Sequence, residues 1–530
     1  MSDLSPNRSE LTPLRFLERS AAVFPDHVAI VYGERRSTYA EFAAEAQQLA
    51  AWLTDRIDPG DRVAFLAPNV PEPLIAHFAV PLAGGVLVAI NSRLARPEVE
   101  YILNHSEARV FFADSELLDN LDGIAESAPA LEVVVQVDDP TVAPSHERRA
   151  AADLTYAEVR ATAVDGQLLP WSVSDENQLI AIDYTSGTTG SPKGVMYSHR
   201  GAYLGAMGAI VHNQLDRSST FLWTLPMFHC NGWCGPWGVT GAAATQVCLR
   251  AVRGDAVWEA IDTRGVTHLW GAPTVLSTIA GAPEAHPVEQ DLRITTAGSP
   301  PSPTIIATME DLGITVTHVY GLTEVYGPFT ITEVQDGWSE LPGEERARLL
   351  ARQGVGMIQA ESVRVVDTQM QDVPADGETF GELVLRGNNV MVGYYKDPEA
   401  TEAAFAGGWF HSGDLGVMHP DGYVEIKDRA KDVIISGGEN ISSVEVEQAI
   451  VSHPAVVEAA VIGVADEKWG ERPRAFVTLR SGASVTDEEL VAHVRSRLAG
   501  YKVPREFVRL DELPHTATGK IVKFELRENG

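Results

Sequence analysis

Residues 184–194 read YTSGTTGSPKG. Three Gly, two Ser, three Thr and one Lys fall within these eleven positions. The apolar run Leu179, Ile180, Ala181 and Ile182 precedes them and predicts a buried strand, and GVMYSH follows, apolar again. Glycines at a strand end let backbone N–H groups approach anionic oxygens, while hydroxyls and one ammonium add donors. A Gly/Ser/Thr cluster is ordinarily only a solvated loop. That explains the glycines but not Lys193 in so short a stretch, so the loop reads as a phosphate cradle.

It is not the Walker A loop, which needs Lys directly after Gly and a hydroxyl directly after Lys. Here Ser191 and Pro192 separate Gly190 from Lys193, and Gly194 follows. Nor is it G-x-G-x-x-G. Further elements lie downstream. YGLTE at 320–324 offers a flat ring in Tyr320 for a base, a hydroxyl in Thr323, and in Glu324 a carboxylate suited to Mg²⁺ directly or through water. WFHSGDLG at 409–416 sets Asp414 near glycines, suited to accepting two ribose hydroxyls. PHTATGK at 514–520 puts Lys520 on a flexible lead.

Residues 226–234, PMFHCNGWC, bring His229 near Cys230 and Cys234. The spacing is not C-x-x-C and no second ligand pair lies nearby, which argues against zinc. An apolar pocket wall with one His suits an acyl chain beside a carboxylate. Gly232, Gly235, Gly238 and Ala242, mixed with Trp233 and Trp237, permit a medium chain or a compact ring.

At 530 residues the chain exceeds one ordinary core, and two to four domains are expected. Hydrophobic residues make up 45% and charged residues 22%, the balance of an ordinary globular protein. No apolar window is long enough to span a membrane. The polar start MSDLSPNRSELTP and the end FELRENG, without a Ser-Lys-Leu tail, lead to the expectation of a cytoplasmic protein. Three Cys cannot make a disulfide framework, which fits a reducing compartment. A net charge of −32 argues against nucleic acid as partner. Residues 431–530 hold 13 basic and 16 acidic side chains, so the acidity lies before them. Arg429, Lys431, Arg472, Arg474, Lys502 and Lys520 are the local cations available to polyanionic ligands.

Alternating helix and strand patterns over the first 180 residues predict α/β layers with parallel sheets. Thr38 with Glu41 is a capping-box pattern before an amphipathic helix, and Arg62–Leu66 and Val86–Ile90 read as strands. Residues 138–152 read as a loop, and 335–353 as a polar connection bearing a helix. SVRVVD, GELVLRG and YVEIKD mark a strand-rich part. A boundary is expected at 428–432. Beyond it come a capping box at Ser442/Glu445, a helix to about Ser452, a strand at Val456–Val464, and a second capping box at Thr486/Glu489. The helix that follows is expected to end on Gly500.

The phosphate loop with YGLTE, Asp414, Arg429 and Lys520 resembles the adenylate-forming superfamily: acyl-CoA synthetases, luciferases and adenylation domains. The resemblance covers nearly the whole chain, and PMFHCNGW with YGLTEVYGP is similar to bacterial acyl-CoA synthetases and plant acyl-activating enzymes. It implies an α/β multidomain fold. Residues 1–429 would form a large N-terminal domain of two α/β subdomains plus a β-barrel-like subdomain, and 430–530 a small mobile α+β C-terminal domain hinged near Lys431. It implies that Thr185, Ser186, Gly187, Thr188, Thr189, Gly190 and Lys193 wrap the ATP phosphates. Gly298, Ser299, Pro300, Tyr320 and Gly321 would hold adenine, and Asp414 and Arg429 the ribose. Thr323 and Glu324 would serve phosphate and Mg²⁺.

His229, Asn231, Gly232, Trp233, Ala297, Tyr326 and Gly327 would line the acid pocket, with His229 also gating the pantetheine tunnel. Gly437 and Gly438 would face coenzyme A, and Lys520 would contact the carboxylate and the α-phosphate. The implied reaction is ATP-dependent ligation of a fatty or aromatic carboxylic acid to coenzyme A, releasing AMP and pyrophosphate. An amine acceptor, oxidation of the adenylate, and a non-catalytic nucleotide-binding regulator are the rival readings. The chain runs only ten residues past Lys520, so no fused carrier domain is expected. Oligomeric state is not readable, a homodimer being one option.

Overall fold

The computed structural model describes residues 7–142, 148–162, 168–185, 192–298, 301–429, 432–436, 439–466, 469–515 and 521–528. Outside them lie Ser186, Gly187, Thr188, Thr189, Gly190, Ser299, Pro300, Lys431, Gly437, Gly438 and Lys520.

Among the described residues the chain forms four sheets. In one, the parallel strands Val86–Ile90, Arg62–Leu66, Ala108–Asp114 and Val133–Val137 run side by side. Val86–Ile90 is buried at every position, as helices on both faces of a parallel sheet require. Leu179–Tyr184 joins Val86–Ile90 in parallel and then pairs antiparallel with Gly194–Ser198, so the two ends of the phosphate-loop sequence, Tyr184 and Gly194, lie side by side. The second sheet carries Thr220–Trp223, His268–Gly271, Leu292–Thr296 and Ile314–Leu322 in parallel, followed by antiparallel Gly327–Ile331.

One large core lies between these sheets and takes in the helices Tyr39–Thr54 and Pro71–Leu82. Thr38 caps Tyr39–Thr54 with the full reciprocal box to Glu41, worth about 1 kcal/mol. The strand-rich part is a four-stranded antiparallel sheet in the order Arg364–Val366, Gly381–Leu385, Phe410–Met418, Val424–Arg429.

Beyond it, Val456–Asp466 and Gly470–Leu479 form a long antiparallel pair, and Ile434–Ser436 and Phe507–Arg509 both pair with Gly470–Leu479, near its start and its middle respectively. Among the described residues, the hydrophobic clusters of this unit, built on residues such as Ile434, Val446, Val461, Val477 and Leu490, draw no side chain from before Ile434. The helix Ser443–Val451 starts on Ser442, whose side chain accepts from the Glu445 N–H. The expected reciprocal half of that box is not made, because the Glu445 carboxylate is drawn 2.6 Å from Lys502 Nζ. The Thr486/Glu489 box is complete. Its helix ends at Arg495 rather than at Gly500: Ser496 caps it in right-handed geometry, and Gly500 opens a 3₁₀ turn. Among the described residues no helix is long and apolar enough to cross a membrane.

Candidate active site

The hairpin Leu179–Tyr184/Gly194–Ser198 brings the two flanks of the phosphate loop together. Thr185 N donates to the Lys193 carbonyl at 3.0 Å, and Lys193 N to Thr185 Oγ1 at 3.3 Å. Gly194 closes the pair. A Cβ there would sit 2.9 Å from Ile182 Cγ2 and 3.2 Å from the Tyr184 ring, so any side chain would spread the strands. The short strand Gly393–Tyr394 pairs with Gly194–Ser198 and lays the Tyr394 ring 4.7 Å from Lys193 Nζ. The same tyrosine donates its hydroxyl to Glu324 Oε1 at 2.9 Å. Burial and then the Glu324 charge push the Tyr394 pKa up, so the phenol stays a donor.

Glu324 and Thr323 lie on a 3₁₀ turn at the end of Ile314–Leu322. That turn is fixed from three sides. Tyr197 OH donates to the Thr323 carbonyl at 2.6 Å, Met391 N donates to the Glu324 carbonyl at 2.8 Å, and Cys230 Sγ reaches Thr323 Oγ1 at 3.5 Å. Gly321 is required by close approach, since a Cβ there would lie 1.7 Å from the Gly327 carbonyl oxygen across the turn.

Four residues before Glu324, Tyr320 donates its hydroxyl to Asp414 Oδ2 at 2.7 Å. Arg429, opposite Asp414 in the adjacent strand, places Nε 2.8 Å from Asp414 Oδ1. Burial works against the Arg429 charge, but Asp414 first, then Tyr320 and Glu324, raise its pKa overall. The guanidinium thus electrostatically links the Asp414 and Glu324 ends. Asp414 is buried, with both carboxylate oxygens already engaged. Tyr320 is buried too, its ring less open than a free stacking platform. Of the other cations offered by the sequence, Arg472 and Arg474 share Glu506 and Lys502 holds Glu445, all inside the C-terminal unit.

Trp233 and Tyr326 line a narrow cavity of about 20 Å³ together with Trp270, Met357, Asn213 and Gln359. Trp233 stacks on Trp270 with centroids 5.9 Å apart, and Tyr326 stacks on Tyr197 at 3.9 Å. The Tyr326 hydroxyl accepts from Ser198 N at 2.7 Å. Gly327 packs beneath Trp233, where a Cβ would lie 2.7 Å from the indole, and Gly232 likewise meets Trp223. These glycines shape the wall from behind. Trp237, fully buried, donates its Nε1–H to the His77 carbonyl and belongs to the core. Ala297 is buried, and Gly298 takes φ +99°, which opens the backbone at the strand end. His229 sits half-buried just before the turn that carries Trp233.

Sequence reasoning did not single out Tyr394, Tyr197, Trp270 or Asp183. The doubled tyrosine in GYYKD and the acid at the end of the apolar run LIAID were the available signals.

The chain belongs to the AMP-binding enzyme family: the AMP-binding enzyme model matches residues 17–395, and the AMP-binding enzyme C-terminal domain model residues 445–520. The chain is 45% identical over 541 residues to acetate/butyrate–CoA ligase AAE7, peroxisomal, of Arabidopsis thaliana, covering 98% of this chain and 95% of that protein. It is 42% identical to 4-hydroxybutyrate–CoA ligase 2 of Metallosphaera sedula, over 98% of this chain and 94% of that one. Among solved structures, the anthranilate CoA ligase AuaEII in complex with anthranoyl-AMP superimposes with a TM-score of 0.88 at 26% identity, covering 99% of this chain and 98% of that chain.

Proposed function

We propose that this chain is an ATP-dependent carboxylic acid:CoA ligase acting on a short acid, in the range of acetate to butyrate. The observation that carries the reading is the pair of linked contacts Lys193–Tyr394–Glu324 and Tyr320–Asp414–Arg429, which bring an ammonium, a carboxylate and a guanidinium to one strand end. The narrow cavity closed by Trp233 and Trp270 supports a small acyl group, as do relatives named for acetate, butyrate and 4-hydroxybutyrate.

In the first step a carboxylate oxygen attacks the α-phosphorus of ATP and pyrophosphate leaves. Lys193 and the loop it closes offset charge on the leaving group in this reading. Glu324 has one carboxylate oxygen fixed by Tyr394 and the other without a hydrogen bond among the described residues, a donor set that fits Mg²⁺ held with the nucleotide, where the ion would neutralise phosphate charge. Asp414 receives the ribose hydroxyls, and the half-buried Arg429 paired with it keeps that carboxylate oriented. Lys520, carried by the C-terminal unit, contacts the acid and the α-phosphate in this step. In the second step the thiol of coenzyme A attacks the acyl carbonyl and AMP departs. The C-terminal unit turns about Lys431 between the two, presenting Gly437 and Gly438 to the pantetheine, so that water stays off the mixed anhydride.

The test is pyrophosphate release with MgATP across a panel of carboxylic acids, each with and without coenzyme A. Release triggered by acetate through butyrate and accelerated by coenzyme A is the expected result. Release that coenzyme A leaves unchanged would point to an amine acceptor. ATP binding with no release from any acid would point to a regulator, and release only with aromatic acids would overturn the short-acid assignment.

A further inference from the structure

Five consecutive residues, Cys230 to Cys234, hold φ between 46° and 60°. L-residues avoid this left-handed region at a cost of about 1–2 kcal/mol each. Four of the five are not glycine. Such a run persists only where its surroundings over-determine it. Asn231 does that here: its main-chain N–H donates to Asp183 Oδ1 at 3.2 Å, and its side-chain amide bonds Asp183 Oδ2. Asp183 is 1% exposed and Asn231 fully buried. Among the described residues no Lys or Arg pairs with Asp183. Its titratable neighbours are Tyr197 on the partner strand, Cys230 and Cys234 on the turn, and Tyr326 across it.

On its other side the Asn231 amide faces His77, on the helix Pro71–Leu82. His77 Nδ1 lies 2.7 Å from the Pro73 carbonyl, so Nδ1 carries the proton and Nε2 is an acceptor. Asn231 Oδ1, as oriented, is an acceptor too. Both atoms are buried and neither has a hydrogen-bond partner among the described residues. An uncompensated carboxylate and two facing acceptors have one common solution. With the proton on Asp183 and the amide turned over, Asp183 O–H donates to Asn231 Oδ1, Asn231 Nδ2 donates to His77 Nε2, and His77 Nδ1 donates to Pro73. Both orphaned acceptors then have a donor and no charge is buried.

We propose that Asp183, Asn231 and His77 form an uncharged hydrogen-bond relay that holds the left-handed turn and thereby positions Trp233 as the wall of the acid cavity, with Asp183 as the positioning residue. Burial acts in the same direction on both ends, pushing the Asp183 carboxyl well above the ordinary carboxylate range and His77 down to about 4. The alternative, an Asp183 carboxylate with a His77 imidazolium, would bury two charges separated by an amide, and desolvation disfavours it.

The consequence for acid choice rests on the short-acid ligase reading; the protonation state does not. Infrared spectroscopy of the unsubstituted protein with carbon-13-labelled aspartate should show a protonated carboxylic acid band at neutral pH that Asp183→Asn removes. A carboxylate band alone would overturn the relay. Asp183→Asn, which keeps a neutral donor and acceptor in place, should hold the wild-type ratio of kcat/KM for butyrate over acetate to within about twofold. Asn231→Ala should shift that ratio about tenfold or more, the scale of a methylene-sized change in pocket fit, with the KM for ATP unchanged. Equal shifts in the two variants would also overturn the proposal. An enzyme that refuses both acids would sink the short-acid reading instead, leaving the relay to be judged by the band.

Discussion

The Tyr394 hydroxyl stands 2.9 Å from Glu324 Oε1 while the ring of the same tyrosine lies 4.7 Å from Lys193 Nζ. One side chain therefore ties the hairpin flank to the acidic 3₁₀ turn. Tyr394→Phe keeps the ring under Lys193 and removes only the hydrogen bond. The expected result is a fall in adenylation of roughly 10-fold and a rise in the Mg²⁺ concentration for half-maximal rate, since a net hydrogen bond to a charged group is worth about 1.5–3 kcal/mol. Pyrophosphate exchange measured against Mg²⁺ checks it, and an unchanged Mg²⁺ dependence would detach Glu324 from the metal.

Asp414 is held by Tyr320 on one oxygen and by Arg429 on the other. Asp414→Ala should raise the KM for ATP by about 10- to 100-fold through the loss of charge-assisted bonds, with a much smaller effect on the KM for the acid. It also leaves the half-buried Arg429 without its Asp414 partner, so thermal stability should drop. A KM for ATP that stays at the wild-type value would take Asp414 out of the nucleotide site.

Trp233 forms the cavity wall against Trp270. Trp233→Ala should move acid preference toward longer or bulkier acids, by about 10- to 200-fold in kcat/KM for hexanoate relative to acetate, while sparing ATP. An unaltered acid profile would remove Trp233 from the pocket.

Lys520 lies outside the described residues, yet its role in the sequence makes a sharp prediction. Lys520→Ala should slow adenylation by roughly 10²–10³, the scale for losing one charge-stabilising donor. Thioester formation from preformed acyl-AMP should be largely spared. Equal loss in both half-reactions would sink the alternation of the C-terminal unit.

His199 and His318 are buried in the N-terminal domain, and burial lowers the pKa of each to about 4. The unfolded chain titrates these groups near 6.5. A depressed pKa means that their contribution is fully present above pH 6.5 and is lost as pH falls toward 4, by on the order of 3 kcal/mol per histidine at the lower limit. Melting temperature followed from pH 7 to pH 4 should fall through that window. His318→Asn, which retains a donor for the Ala351 and Arg352 carbonyls, should flatten the decline. A variant with the wild-type pH profile would assign the loss to other groups.

Elements with a local cause were legible in the sequence. Arg62–Leu66 and Val86–Ile90 are strands at the positions their apolar runs dictate, and the boxes at Thr38/Glu41 and Thr486/Glu489 close as their spacing requires. What could not be read were outcomes decided by partners distant in the chain. Glu445 abandons its box for Lys502, 57 residues on. Gly232, which composition offers as pocket space, is instead packing space for Trp223. The contacts that orient the site, Tyr394 on Glu324 and Asp183 beneath Asn231, join segments 70 and 48 residues apart, and no local period encodes such pairings.

Among the described residues the C-terminal core shares no side chain with the core around the Trp233 cavity. A substitution that resizes one leaves the packing of the other untouched. Across generations, then, the cavity and the C-terminal unit are free to drift on separate schedules. A lineage can inherit an unchanged C-terminal unit while the cavity is rewritten around a single tryptophan.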